Sequence, residues 1–283
     1  MKSILNRSAV VAVLLLYAPG ADAQFSINLN FTGAIQPTQS QRDAFDWAVD
    51  LWESRIIGYQ PGVNLTGINI TAQLRNIPDS DNGIGTVDLL GGGTAQNVNL
   101  RGGYWIPSAG FIEFDTDDIP ELEGLEIFQY VVAHELAHAL GFGQTWDLNG
   151  VRTGNRFTGE NAIRAYQNEW VQPDGSTPLW VPLESEGGGG TAFRHWDEPF
   201  GGGAFTNIVL RNNPERDFTY ELMTGWLNFI RYPPIVSQTT VASFADIGYR
   251  VVPEPNTLIL SLCALAGVGV WRGRSLAGRR CAA

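Results

Sequence analysis

His134-Glu135-Leu136-Ala137-His138 is the stretch of this 283-residue sequence whose residue types and spacing could do chemistry together. On a helix, residues four apart share a face one turn apart, so both imidazoles address the same point. Neutral imidazole nitrogen suits zinc, and the carboxylate beside the first histidine can reach a metal-held water as general base. A bound metal brings that water's pKa towards neutrality, which makes a nucleophile able to attack a peptide carbonyl. Apolar Ile127, Phe128, Val131 and Val132 precede the pair, as a buried active-site helix requires. Gly141 can end that helix in a left-handed conformation. Two scarcities sharpen the pattern. The chain has only three histidines, the third being His195 in Arg194-His195-Trp196-Asp197-Glu198, and only two methionines, Met1 and Met223.

The run His134 to Gly143, the distant His195-Trp196 and Glu221-Leu222-Met223 resemble the leishmanolysin-type metzincins. That family has HExxHxxGF, a long insertion, a third histidine often followed by Trp, and a Met-turn within E-(L/I)-M. In other metzincins the third ligand usually stands three residues after the glycine. Here that position is Gln144, and the resemblance assigns the role to His195. The likeness runs from about residue 38 to 250 and takes in the closing Ala245-Asp246-Ile247-Gly248-Tyr249. It implies one catalytic zinc held by His134, His138 and His195, Glu135 as base, and Met223 as the hydrophobic floor beneath the metal. It also implies a protein or peptide substrate, with the strand around Phe111–Asp115 as the cleft edge that pairs with it. Residues 24–252 contain no Cys, whereas animal and protozoan members are disulfide-rich. Gly225 stands where some metzincins carry a tyrosine ligand, and no donor for an oxyanion stands out.

The elements that must position these groups are partly legible. Thr38 and Gln41 can form a capping box, opening a helix in which Phe45, Ala48, Val49, Trp52 and Ile56 recur at helical spacing and which ends near Gly58. Apolar residues alternate from Val63 to Leu74 with a change of phase at Gly67, which predicts a strand with a bulge. Phe111–Asp115 is a second short strand, and a helix follows from about Glu126 to Leu140. Glycine runs at 91–93, 187–190 and 201–203 lack a following Lys-Ser or Lys-Thr, so they are expected as flexible surface loops rather than phosphate cradles. Joined to the resemblance, these elements predict an α+β fold. A twisted mixed sheet is backed by two helices, one of them the active-site helix, and a largely irregular C-terminal subdomain follows.

The ends of the chain look like addresses. Residues 1–23 have Lys2 and Arg7, ten apolar residues from Ala9 to Ala18, and Ala21-Asp22-Ala23 as a cleavage site, the layout of a secretory signal. Residues 253–283 begin at Pro253-Glu254-Pro255 and continue with an apolar stretch from Thr257 to Trp271 and four arginines. This resembles the PEP-CTERM sorting signal of bacterial surface proteins, a plain tail anchor being the alternative. It implies an exosortase-type processing enzyme as partner, a membrane association only through this segment, and a destination at the cell surface or in the extracellular matrix. Between the ends, 24–252 holds 12 Arg, no Lys and 27 Asp+Glu, a balance of −15 that repels phosphate backbones and argues against nucleic-acid partners.

Three alternatives compete for individual residues. Glu160 could replace His195 as third ligand, as in gluzincins. Asp115, Asp117 and Asp118, or the turn Asp79–Gly83, could hold calcium, although solvated loop carboxylates are the plainer account. A non-catalytic surface or exopolysaccharide-matrix binding protein with a structural zinc would suit the glycine-rich loops and the eight tryptophans of 24–252. Glu135 weighs against it, because a structural site has no use for that carboxylate and normally closes with a fourth protein ligand.

Overall fold

A computed structural model describes residues 24–77, 90–199, 204–226, 228 and 231–252. The expected signal segment 1–23, the sorting segment 253–283, the Asp79–Gly83 turn and the 201–203 glycine run lie outside the described residues.

The architecture is mixed α and β. β1 (Ser26–Thr32), β3 (Gly67–Arg75) and β7 (Ala109–Asp115) run parallel, and β4 (Gly91–Gln96) closes the sheet antiparallel to β7. The order is β1-β3-β7-β4, so β7 is internal and β4 is an edge. Alternation does what period two requires: Ile68, Ile70, Ala72 and Leu74 of β3 are buried together with Ile112 and Phe114 of β7. β2 (Ile56–Tyr59) pairs with the terminal strand Tyr249–Val251, and β5 (Asn99–Arg101) with β6 (Tyr104–Ile106) forms a small hairpin.

Two helices pack on the sheet. α1 (Gln39–Glu53) starts at Thr38 with the expected reciprocal capping box, and it buries Phe45, Ala48 and Trp52. Its end differs from the sequence expectation. The helix stops at Glu53, and Ile56 belongs to β2, because long-range pairing with Tyr249–Val251 outcompetes one more helical turn for a β-branched pair. Likewise the phase change at Gly67 is the start of β3 rather than a bulge. After α2 (Ile119–Gly124) comes α3 (Phe128–Ala139), inside the predicted Glu126–Leu140 and carrying the HExxH residues. The Trp52 indole of α1 donates to the Ala133 carbonyl of α3 at 2.8 Å, which fixes the axial position of α3.

The remainder consists of loops, strands of two to five residues, α4 (Glu160–Glu169) and α5 (Gln238–Asp246). These two helices cap each other. Asp246 accepts from the Asn161 and Ala162 N–H groups at 3.0 Å, and Glu169 accepts from the Gln238 and Thr239 N–H groups at 3.0 and 3.1 Å. The acid at the end of each helix sits on the positive N-terminus of the other, so the pair must run antiparallel. One buried apolar cluster extends from Phe25 to Tyr249 and joins sheet, helices and loops. Among the described residues no helix is long and apolar enough to cross a membrane.

Asp246→Ala leaves the first N–H groups of α4 without their acceptor. It should cost about 1–2 kcal/mol and lower Tm by roughly 2–4 °C per kcal/mol, as read from circular-dichroism melting.

Candidate metal centre

The centre begins with how α3 ends. Gly141 takes φ +109°, the Phe142 N–H bonds the Ala137 carbonyl at 3.0 Å, and the Gly141 N–H bonds the His138 carbonyl at 2.9 Å. This double closure is a Schellman motif, which needs a residue able to enter the left-handed region. It also turns the Phe142 carbonyl back onto the helix, where His138 Nδ1 donates to it at 3.0 Å. The closing segment adds a further tie, since the Tyr249 hydroxyl donates to the Leu140 carbonyl at 2.7 Å.

The other two histidines are oriented in the same way by different segments. His134 Nδ1 donates to the Leu222 carbonyl at 2.7 Å, and His195 Nδ1 to the Thr191 carbonyl at 2.8 Å. Leu222 belongs to the turn that carries Met223, the expected Met-turn, which is organised by the buried carboxylate of Glu221. That carboxylate accepts from the Met223 N–H, the Ser237 N–H and hydroxyl, and the Thr240 hydroxyl. Met223 is fully buried, one residue beyond the carbonyl that orients His134. Its own carbonyl accepts from the Trp196 N–H at 3.0 Å, so the Met-turn and the third-histidine segment are bonded side by side. Trp196 is a core residue, stacked on Trp146 with ring centroids 5.3 Å apart and donating from its indole to Thr240. At Gly143 the chain passes so close to Arg194 that an added Cβ would lie 2.3 Å from its carbonyl oxygen.

The consequence is a convergence of ring nitrogens. The Nε2 atoms of His134, His138 and His195 lie 2.9–3.1 Å from one another. A carbonyl oxygen only accepts, so each Nδ1 bears the proton and each Nε2 presents a lone pair. Three lone pairs facing one another cannot bond among themselves; a cation between them resolves the repulsion. Bonds of about 2.0–2.1 Å at tetrahedral angles would set the nitrogens roughly 3.3 Å apart, close to the spacing present. Burial lowers the pKa of His134 to about 4 and of His195 to about 3, and it lowers His138 well below its usual value. The rings are therefore neutral and ready to ligate at pH 7. Among the described residues this is the one group of three or more potential ligand side chains that converge on a point.

Glu135 completes the arrangement. It lines a cavity of about 380 Å³ together with the three histidines, and burial, with the charge of Glu113 adding, raises its pKa to about 8. The adjacent wall is β4, and two sequence expectations are corrected there. The 91–93 glycines are a strand rather than a loop, and the strand nearest the cavity at the sheet edge is β4, whereas Phe111–Asp115 lies inside the sheet between β3 and β4. Gly93 shows why the residue type matters: a Cβ there would lie 2.2 Å from the Glu135 carbonyl and 2.9 Å from His138 Cβ. Gln144, rejected as a ligand by its type, ties this strand to the helix-ending turn. Its side chain donates to the Gly93 carbonyl at 2.6 Å and accepts from the Ala95 N–H at 3.3 Å. Neither tie had a local signal, because glycine runs seldom form strands and Gln144 marks only the missing histidine.

The remaining candidates lie elsewhere. Glu160 is exposed at the start of α4 and is not a member of the histidine group. The carboxylates of Asp115 and Asp117 are engaged locally, accepting from the Asp117 N–H and the Asn76 side chain respectively. The 187–190 glycines are exposed as expected, with Gly190 on the cavity wall. No protein-family profile matches this chain, and no curated protein matches it.

Two outcomes are expected of the metal. His195→Ala should reduce metal content from one ion per chain to near zero, while Glu160→Ala should leave it unchanged, by atomic emission after dialysis. Protons compete with the metal for each Nε2, and burial weakens the proton. Metal should therefore stay bound as pH falls through 6.5, the ordinary imidazole value, and leave only towards pH 4. Dialysis across that range with metal analysis at each pH checks this.

Proposed function

We propose that the chain is an exported zinc-dependent endopeptidase, similar to the leishmanolysin-type metzincins. The observation that carries this reading is Glu135, a carboxylate in the same cavity as three neutral imidazoles whose Nε2 atoms converge. A binding protein with a structural metal would need the imidazoles but not this carboxylate at the open side.

Three nitrogens without sulfur suit zinc and leave a coordination position for chemistry. When bound, zinc supplies a Lewis acid for the scissile carbonyl and acidifies water at neutral pH. The protein's own part is proton transfer and positioning. Glu135, whose ionised form a neighbouring dication would favour against burial, would take a proton from the attacking water and hand it to the departing amine nitrogen. The three backbone carbonyls hold the imidazoles in one tautomer, so no ligand reorients during turnover.

Substrate binding falls to the edge of the sheet. An extended peptide adding to β4 would gain main-chain hydrogen bonds without a sequence requirement. Gln144 already takes the Gly93 carbonyl and the Ala95 N–H. The open part of the edge therefore lies upstream of Gly93, and side-chain-free glycines there let a peptide backbone approach closely.

Glu135→Ala should keep one zinc per chain and lose at least about 10²-fold in casein or gelatin cleavage. Equal cleavage by wild type and variant would defeat the reading. So would a folded, zinc-loaded wild type that cleaves neither protein.

A further inference from the structure

Two carboxylates beside the metal centre have oxygens with nothing to bond. Glu184 and Glu198 are 1% and 5% exposed, and the Oε2 atom of each is buried without a hydrogen-bond partner. Their other oxygens are used. Glu184 Oε1 accepts from the Glu186 N–H at 2.6 Å, and Glu198 Oε1 accepts from the Trp226 N–H at 2.7 Å. The two side chains meet at the Met-turn, where a Cβ on Gly225 would lie 3.4 Å from Glu198 Oε1 and 3.5 Å from Glu184 Cγ.

Among the described residues no arginine forms an ion pair with either carboxylate. The nearby groups add negative charge instead, since Asp197 feels both Glu184 and Glu186, and Glu198 feels Glu184 and Asp197. A buried carboxylate oxygen left unbonded is among the costliest arrangements in a protein interior, and natural folds relieve it with a proton or a cation. Burial raises Glu198 to about 9, against the opposing pull of the Thr224 hydroxyl and the Trp226 N–H. Yet one proton bonds one oxygen, and two carboxylates that both lie against Gly225 can share an ion that takes an oxygen of each. The donors are all oxygen, which selects a hard cation over zinc; calcium also accepts the backbone carbonyls and waters that would complete its shell.

We propose that Glu184 and Glu198 bind a calcium ion that staples the third-histidine loop to the Met-turn. The backbone of Glu184 closes that loop, donating to the His195 carbonyl at 3.1 Å and accepting from the Phe193 N–H at 2.7 Å. The loop so closed carries Thr191, whose carbonyl orients His195. Glu198 holds Trp226, three residues past Met223. Calcium thus joins the two segments that orient His195 and His134, and its loss loosens both. The inference does not depend on peptidase activity.

The test uses the full-length chain loaded with zinc and freed of loosely held ions. Equilibrium dialysis with radioactive calcium should find one ion per chain, with affinity in the range of about 10⁻⁴–10⁻³ M common to extracellular sites. Calcium should raise Tm, and terbium at the site should show tryptophan-sensitised emission that calcium displaces. Glu184→Gln and Glu198→Gln should each weaken calcium at least tenfold and abolish the Tm rise while keeping one zinc. A folded wild type that takes up neither calcium nor terbium overturns the proposal, whether or not the variants fold. So does calcium binding that is equal in the variants, which marks an adventitious ion. Zinc content reports the histidine centre separately, so the failure of either site is distinguishable.

Discussion

The structure depends on a single constraint: three imidazoles must turn their Nε2 lone pairs to one point and stay there. Each ring is held by its Nδ1–H bond to a backbone carbonyl, and the three carbonyls come from separate segments, Phe142, Leu222 and Thr191. None of these segments has regular structure to hold it. The Schellman turn, the Met-turn and the third-histidine loop must each be fixed by other means to within hydrogen-bond tolerance. Much of the molecule outside the sheet serves that requirement.

In a domain without cysteines those means are buried carboxylates. Glu221 gathers the Met-turn and the start of α5, and Asp217 accepts from the Thr206, Asn207 and Thr219 N–H groups. Glu169 and Asp246 lock α4 and α5 end to end. A carboxylate accepts several N–H or O–H bonds at once, and charge-assisted bonds are stronger than neutral ones. A single side chain can thus cross-link loops that disulfides join elsewhere. The surplus of acids over bases in 24–252, which at first bears only on partners, has this structural use. Aromatic packing supplies the rest of the rigidity, with Phe142 and Phe157 each in ring contact with both Trp146 and Trp196 behind the three histidines.

Features governed by neighbours along the chain were legible. The capping box at Thr38, the burial of Ile127, Phe128, Val131 and Val132 ahead of the histidines and the stop at Gly141 are all local, and each lies where the sequence places it. Features governed by distant partners were not. Ile56 has helical spacing but pairs with Val251, and Gly91-Gly92-Gly93 becomes a strand because β7 supplies hydrogen bonds and Gly93 lies too close to α3 for a side chain. The identity of the edge strand follows from sheet order alone, which no local pattern encodes.

The same division applies to the centre. Residue type and scarcity determined the membership of the histidine set, since a chain with three histidines, two of them at helical i, i+4 spacing, offers few other choices. Only the tertiary structure decided that His195, 57 residues beyond His138, reaches the same point. Tautomer, burial and therefore neutrality were likewise decided there, because they arise from carbonyls and apolar walls contributed by distant segments. Sequence specifies which groups can ligate; the fold specifies their protonation and where they meet.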